Sequence, residues 1–230
     1  MTTRSLAVIS AGISQPSSTR LLAERLATAT ERRLAHEGVV TKVEIFDLRD
    51  FAHDITNNLL TGFASPKLQV VIDAIMAADG LIAVSPIYTT SYSGLFKSFI
   101  DTLDPQAITD MPVIIGATGG TERHSLALDY AMRPLFSYLH AVVMPTAVYA
   151  ASSDWGSANS SGAGSSGPGS SAVDAASGTL PARIERAAAE LAAQVQSSDR
   201  SSRVIDPFAL PAGFNPAGAP FSSAGSAGAQ

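Results

Sequence analysis

Three short stretches of this chain are almost wholly apolar: Leu6–Ile9, Gly80–Ser85 and Pro112–Ala117. A strand exposed on one face alternates apolar and polar residues, so a short unbroken apolar run marks a strand covered on both faces. Each run is followed by a loop of small and hydroxyl residues, and then by a segment with helical apolar spacing. Repeated strand–helix alternation requires a parallel sheet with right-handed crossovers and helices on both faces.

The rest of the chain fits around these runs. Thr19–Glu37 carries Leu22, Leu26 and Ala29 at helical spacing and stops at Gly38. Val39–Phe46 alternates as a half-exposed strand near a sheet edge, and Asp47–Ala64 reads as irregular. Ser65-Pro66 opens a helix that runs to about Ala78. Gly94–Leu103 is apolar on more than one side and should be sandwiched, with Lys97 and Asp101 paired on its surface. Thr121–Leu139 reads as a helix bent at Pro134. In the last strand, Ala141–Ala150, Pro145 favours an edge or a bulge. Pro181–Gln196 is the final helix, with Ile184, Ala187, Ala188, Leu191 and Val195 inward. Five strands thus alternate with five helices.

Composition sets the limits. Of 230 residues, the C-terminal part is so rich in Ser, Gly, Ala and Pro that one domain with a tail is expected. The domain spans 1–197, with a low-complexity segment over 152–178 that is either a mobile lid or disorder, and 198–230 is a disordered tail. A net charge of −5 with 15% charged residues offers no basic field for nucleic acid or an anionic membrane. The absence of cysteine excludes disulfides, thiolate catalysis and Cys-ligated metal. With no long apolar run, a soluble cytoplasmic protein is the expectation.

Ligands on such sheets bind at the C-terminal strand ends, where three loops should converge. Ser10–Leu22 joins a strand to a helix N-terminus, whose outward N–H groups and dipole favour an anion. Ser14, Ser17, Ser18 and Thr19 add hydroxyls there, and no acidic residue lies between Met1 and Arg20. The loop is neither GxGxxG nor GxxxxGK[ST], which leaves a phosphomonoester site or an ordinary Ser-rich connection with an N-cap. The second loop, Pro86–Ser93, carries Tyr88 and Tyr92 among hydroxyl residues and suits the edge of a planar heterocycle, although both rings could be ordinary interface aromatics. In the third, Ala117–His124, Gly119 and Gly120 let the backbone approach a flat ligand. His124 has no identifiable carboxylate partner, and no Ser-His-Asp set or metal-ligand spacing is present. The loops offer binding groups without acid–base apparatus, which suits a cofactor that carries its own chemistry.

The segment Pro86-Ile-Tyr-Thr-Thr-Ser-Tyr-Ser-Gly-Leu-Phe-Lys-Ser-Phe-Ile-Asp101 resembles the P-x-Y-x-x-S-x-[SP]-G-x-x-K-x-x-[LI]-D pattern of the NADPH-dependent FMN reductases. Ala117-Thr-Gly-Gly-Thr, followed by His124, Asp129-Tyr-Ala and Pro134-Leu, is similar to the ATGG segment and following helix of the same family. The likeness covers roughly Leu6–Ala150 and points to the branch serving alkanesulfonate-type two-component monooxygenases. It implies a flavodoxin-like three-layer α/β sandwich with a five-stranded parallel sheet in the order 2-1-3-4-5. It also implies hydride transfer from NADPH or NADH to FMN, with no catalytic side chain and no metal.

By the same resemblance Ser10, Ser17, Ser18, Thr19 and Arg20 hold the FMN phosphate. Pro86, Ile87, Tyr88, Thr89, Ser91 and Tyr92 meet the ribityl chain and isoalloxazine; Thr118, Gly119 and Gly120 pass along the ring, with His124 near the nicotinamide. The first loop departs from the family form GSxRxxS, because Ala11-Gly12 replaces Gly-Ser and Ser14-Gln15 stands where Arg is frequent. The implied partners are a flavin-dependent monooxygenase and further copies of the chain, as a homodimer or homotetramer. Tyr130 is then expected on a π-type widening of its helix at the subunit contact. A quinone or azo-dye reductase with retained flavin and a flavodoxin-like electron carrier are the alternatives.

Overall fold

The computed structural model describes residues 2–156 and 178–198. The first and third apolar runs become β1 (Thr3–Ser10) and β5 (Pro112–Gly119), and the second becomes β3 (Gly80–Tyr88). With β2 (Val40–Asp47) at one edge and β6 (Val142–Val143) at the other, the sheet order is β2-β1-β3-β5-β6, parallel throughout.

Side-chain alternation divides the strands between two cores. Ala7, Ile9, Leu81, Ala83, Val113 and Ile115 face one side. They pack against Leu68, Val71 and Ile75 of α3 (Pro66–Met76), Phe96 and Phe99 of α4 (Gly94–Ile100) and Phe136 of α5 (Arg133–Tyr138). Leu6, Val8, Ile82, Val84 and Ile114 face the other side, covered by α1 (Ser18–His36) and the C-terminal helix Leu180–Ser197. Because both faces are buried, strands and helices make three layers, as the apolar runs require.

The expectations that fail do so locally. The sheet has seven strands rather than five. The expected strand Ala141–Ala150 is broken into β6 and β7 (Val148–Ala151), both paired with β5. Pro145 lies in the gap, where it cannot donate to the ladder. The freed backbone is held instead by side chains. Arg133 donates to the Met144 and Pro145 carbonyls at 3.0 and 3.2 Å, and Glu190 accepts from the Thr146 N–H and hydroxyl at 2.8 and 2.6 Å. The seventh strand comes from the second loop, where β4 (Ser91–Tyr92) folds back antiparallel on the end of β3.

The stretch expected to be irregular, Asp47–Ala64, contains a 3₁₀ turn (Leu48–Phe51) and α2 (Ala52–Thr61). Ile55 is the one buried residue of α2, and Leu59 and Leu60 are exposed, so little of this helix is tied to the core. The expected helix Thr121–Leu139 begins instead as a 3₁₀ turn (Glu122–His124), and then runs through a π-helical turn (Leu128–Met132), which carries Tyr130 as expected, into α5. Pro134 sits at the start of α5, directly after the π-helical turn from which that helix continues. The segment expected as a low-complexity loop from residue 152 begins with a short helix, α6 (Ser152–Gly156). The C-terminal helix is accordingly α7. What was expected for 157–177 and 199–230 lies outside the described residues. Among the described residues no single helix is long and apolar enough to cross a membrane.

Candidate functional site

The C-terminal ends of β1, β3, β5 and β7 surround a cleft of ≈ 330 Å³, within the ~300–1,000 Å³ usual for small-molecule sites. Ser14, Ser18 and Thr19 line it from the first loop and the start of α1. Pro86, Ile87 and Tyr88 line it from the end of β3, and Thr118, Gly119 and Gly120 from the end of β5. Ser152 and Trp155 of α6 close the remaining side. No lining residue carries a formal charge.

The α1 end of the cleft is built by the helix cap. Ser17 is the N-cap, its hydroxyl accepting from the Arg20 N–H at 3.2 Å. The first-turn N–H groups of Ser18 and Thr19 have no carbonyl to bond in the helix and project outward. Gly12 is required by the same cap, since a Cβ there would stand 2.0 Å from the Ser17 hydroxyl. Thr19 and Thr118 are joined hydroxyl to hydroxyl at 2.8 Å in the floor of the cleft, tying the first loop to the third. Beneath them the Ser10 hydroxyl is buried with no partner among the described residues.

Several residues expected at the ligand lie elsewhere. Arg20 is committed to two carboxylates, Glu24 and Asp47, each at 2.8 Å. Ser17 spends its hydroxyl on the cap. Thr89, Ser91 and Tyr92 belong to the β3–β4 hairpin outside the cleft lining, where the Tyr92 ring packs on Phe96 at 5.8 Å between centroids. The hairpin tip is conformationally unusual: Thr89 and Thr90 have φ of 48° and 71°, a region that β-branched residues avoid. His124, half-buried in its 3₁₀ turn, also lies outside the lining.

Sequence reasoning missed two supports. Tyr149 of β7 donates its phenol proton to the Thr121 carbonyl at 2.7 Å. A Cβ at Gly119 would stand 2.1 Å from the Tyr149 phenol oxygen, so this glycine makes room for the prop. Burial pushes the Tyr149 phenol up from its ordinary value of 10.0 and keeps it a donor. The other is Trp155, carried by α6. Asp154 fixes that helix by accepting from the Ala151 N–H and from Arg183, both at 2.8 Å.

Gly120 tests whether a flat cofactor fits. It has no positive φ, and a Cβ there would meet no protein atom within 4 Å. Neither backbone nor packing accounts for the glycine, whereas a planar ring lying along the cleft would. The outward N–H groups at the start of α1 and a lining without carboxylates fit a phosphate at the α1 end in the same way, whereas Ser10, expected there, is fully buried and outside the cleft lining.

An open parallel sheet in the order β2-β1-β3-β5-β6, with helices on both faces and a cleft at its carboxyl edge, defines the flavodoxin-like α/β class. Residues 5–156 match the NADPH-dependent FMN reductase family, and the chain belongs to it. An FMN reductase (NADPH) of Pseudomonas aeruginosa is 39% identical over 147 residues, 64% of this chain and 76% of that protein. An NADH-dependent FMN reductase, SfnF, of Pseudomonas fluorescens is 37% identical over 147 residues, with the same shares of 64% and 76%. Among solved structures, an oxidoreductase from Corynebacterium diphtheriae superposes with a TM-score of 0.75 at 41% identity, over 86% of this chain and 100% of that one.

Proposed function

We infer that the protein is an NAD(P)H-dependent FMN reductase, and that the three-loop cleft is its flavin site. The observation that carries this is Gly120: a glycine that protein geometry does not require, at the edge of an uncharged cleft, in a chain of this family. When bound, FMN supplies the chemistry, accepting a hydride from the nicotinamide. The protein binds and orients. The α1 N-terminus and the hydroxyls of Ser14, Ser18 and Thr19 hold the phosphate end. Pro86, Ile87 and Tyr88 edge the ring on one side, and Thr118, Gly119 and Gly120 on the other. Rate enhancement then rests on proximity and alignment of two planar rings, with no side chain exchanging a proton.

Reduced FMN is proposed to pass to a separate flavin-dependent monooxygenase, and the cytoplasm is the proposed compartment. We also place Tyr130 at a contact between copies of the chain: it is 80% exposed on the π-helical turn, beside exposed Leu126. A steady-state assay crossing NADPH and NADH with FMN, FAD and a quinone tests the activity. FMN-dependent oxidation of at least one nicotinamide is expected. Turnover with the quinone alone, or none with either nicotinamide, would overturn the proposal.

A further inference from the structure

The phosphate of FMN is a dianion, yet the cleft lining holds no cation. The arginines around its α1 end are nearly all engaged. Arg20 pairs with Glu24 and Asp47, Arg183 with Asp154, and Arg49 faces Asp50 while donating to the Ile13 carbonyl. Arg25 differs. It forms no ion pair among the described residues; instead its guanidinium carbon lies 5.0 Å from the centroid of the Trp155 ring. Trp155 in turn lines the cleft beside Ser14 and Ser18. Ser18 and Arg25 are seven positions apart on α1 and so share a face, and arginine side chains lean toward the helix N-terminus. The indole is therefore a wall of the cleft with an unneutralised cation stacked on it. Asp154 fixes the helix that carries it.

We propose that Trp155 and Arg25 form the phosphate-selective wall of the flavin site: the indole contacts the phosphate end of the ligand, and Arg25 positions the indole and supplies the positive charge that the first loop lacks. This rests on the flavin-reductase reading and deepens it by naming what distinguishes FMN from riboflavin. Arg25 is exposed, so its field is screened by solvent and salt, and its contribution is moderate and salt-sensitive.

The chain's single tryptophan makes the site directly observable. Dissociation constants for FMN and riboflavin are measured at low and high salt by flavin fluorescence, with Trp155 emission followed in parallel. FMN should quench Trp155 emission. Arg25→Gln should weaken FMN about three- to tenfold at low salt, leave riboflavin unchanged and flatten the salt dependence. Arg25→Lys should retain most of the preference for FMN. Arg186→Gln, which makes the same charge change on an exposed position of α7, serves as the control and should leave the FMN-to-riboflavin ratio unchanged. In a Trp155→Ala background, Arg25→Gln should cost less than in the wild type, the remainder being the salt-sensitive charge effect that does not act through the indole.

Equal shifts for both flavins in Arg25→Gln, or none, would overturn the proposal. A change confined to the KM of NADPH relative to NADH would also overturn it, assigning Arg25 to the dinucleotide instead. Failure of the wild-type protein to oxidise either nicotinamide in the presence of FMN is a separate result, and it removes the reading on which the proposal rests.

Discussion

Gly120 and Tyr149 bear most directly on the site. Gly120→Ala should leave the melting temperature within error, because the added methyl meets no protein atom within 4 Å. FMN affinity measured by fluorescence should fall at least about tenfold, the equivalent of ~1.4 kcal/mol. Tyr149→Phe removes the prop under Thr121 and should cost about 1 kcal/mol in chemical denaturation. The pH dependence has a definite sign. Burial raises the folded-state pKa of this phenol above 10.0, so its contribution is complete below that value and is lost as pH climbs through the raised one. The wild type should therefore lose stability in the alkaline range, and Tyr149→Phe should lose less over the same range. At the hairpin tip, Thr89→Asn with Thr90→Gly supplies residues that tolerate positive φ. The pair should raise the unfolding free energy by about 1–2 kcal/mol if the strain is relieved in full, read as a higher denaturation midpoint; an unchanged or lower midpoint would mean that the turn carries none.

At the scale of elements, the residues that could be read from the sequence are those whose chemistry is local. Ser18, Thr19, Pro86, Ile87, Tyr88, Thr118, Gly119 and Gly120 all reach the cleft because each sits at a strand end or helix start, and strand ends can be located from apolar runs alone. Arg20 could not be placed, because its rotation toward Asp47 depends on β2, a partner from a distant part of the chain. Tyr92 lies in β4, outside the cleft lining, and a loop between a strand and a helix does not announce that it folds back on the strand. Helix α2 is short and buries only Ile55, and α6 with Trp155 was hidden in a Ser- and Gly-rich run where composition outweighs pattern. The broken strand makes a prediction of its own. Glu190→Ala would leave the Thr146 N–H unpaired and should cost about 1–3 kcal/mol, with FMN affinity little changed.

For the whole molecule, the two cores hold the cleft open by fixing four strand ends, and the loops add the ligand chemistry. The π-helical turn at Leu128–Met132 carries Tyr130, which is 80% exposed and lies outside the cleft lining, so the proposed contact between copies and the proposed flavin site can be tested apart. Tyr130→Ala should lower the mass observed by light scattering without a proportional loss of flavin affinity. An unchanged mass would remove Tyr130 from the contact.

The central claim is that this cleft brings FMN and a reduced nicotinamide together. The most direct measurement is anaerobic mixing of the protein with FMN and either NADPH or NADH, following the loss of flavin absorbance. The account predicts bleaching with at least one nicotinamide, at a rate that depends on protein concentration and slows in Gly120→Ala. Flavin that stays oxidised with both nicotinamides, although the protein binds FMN, would contradict it and leave an electron carrier in its place.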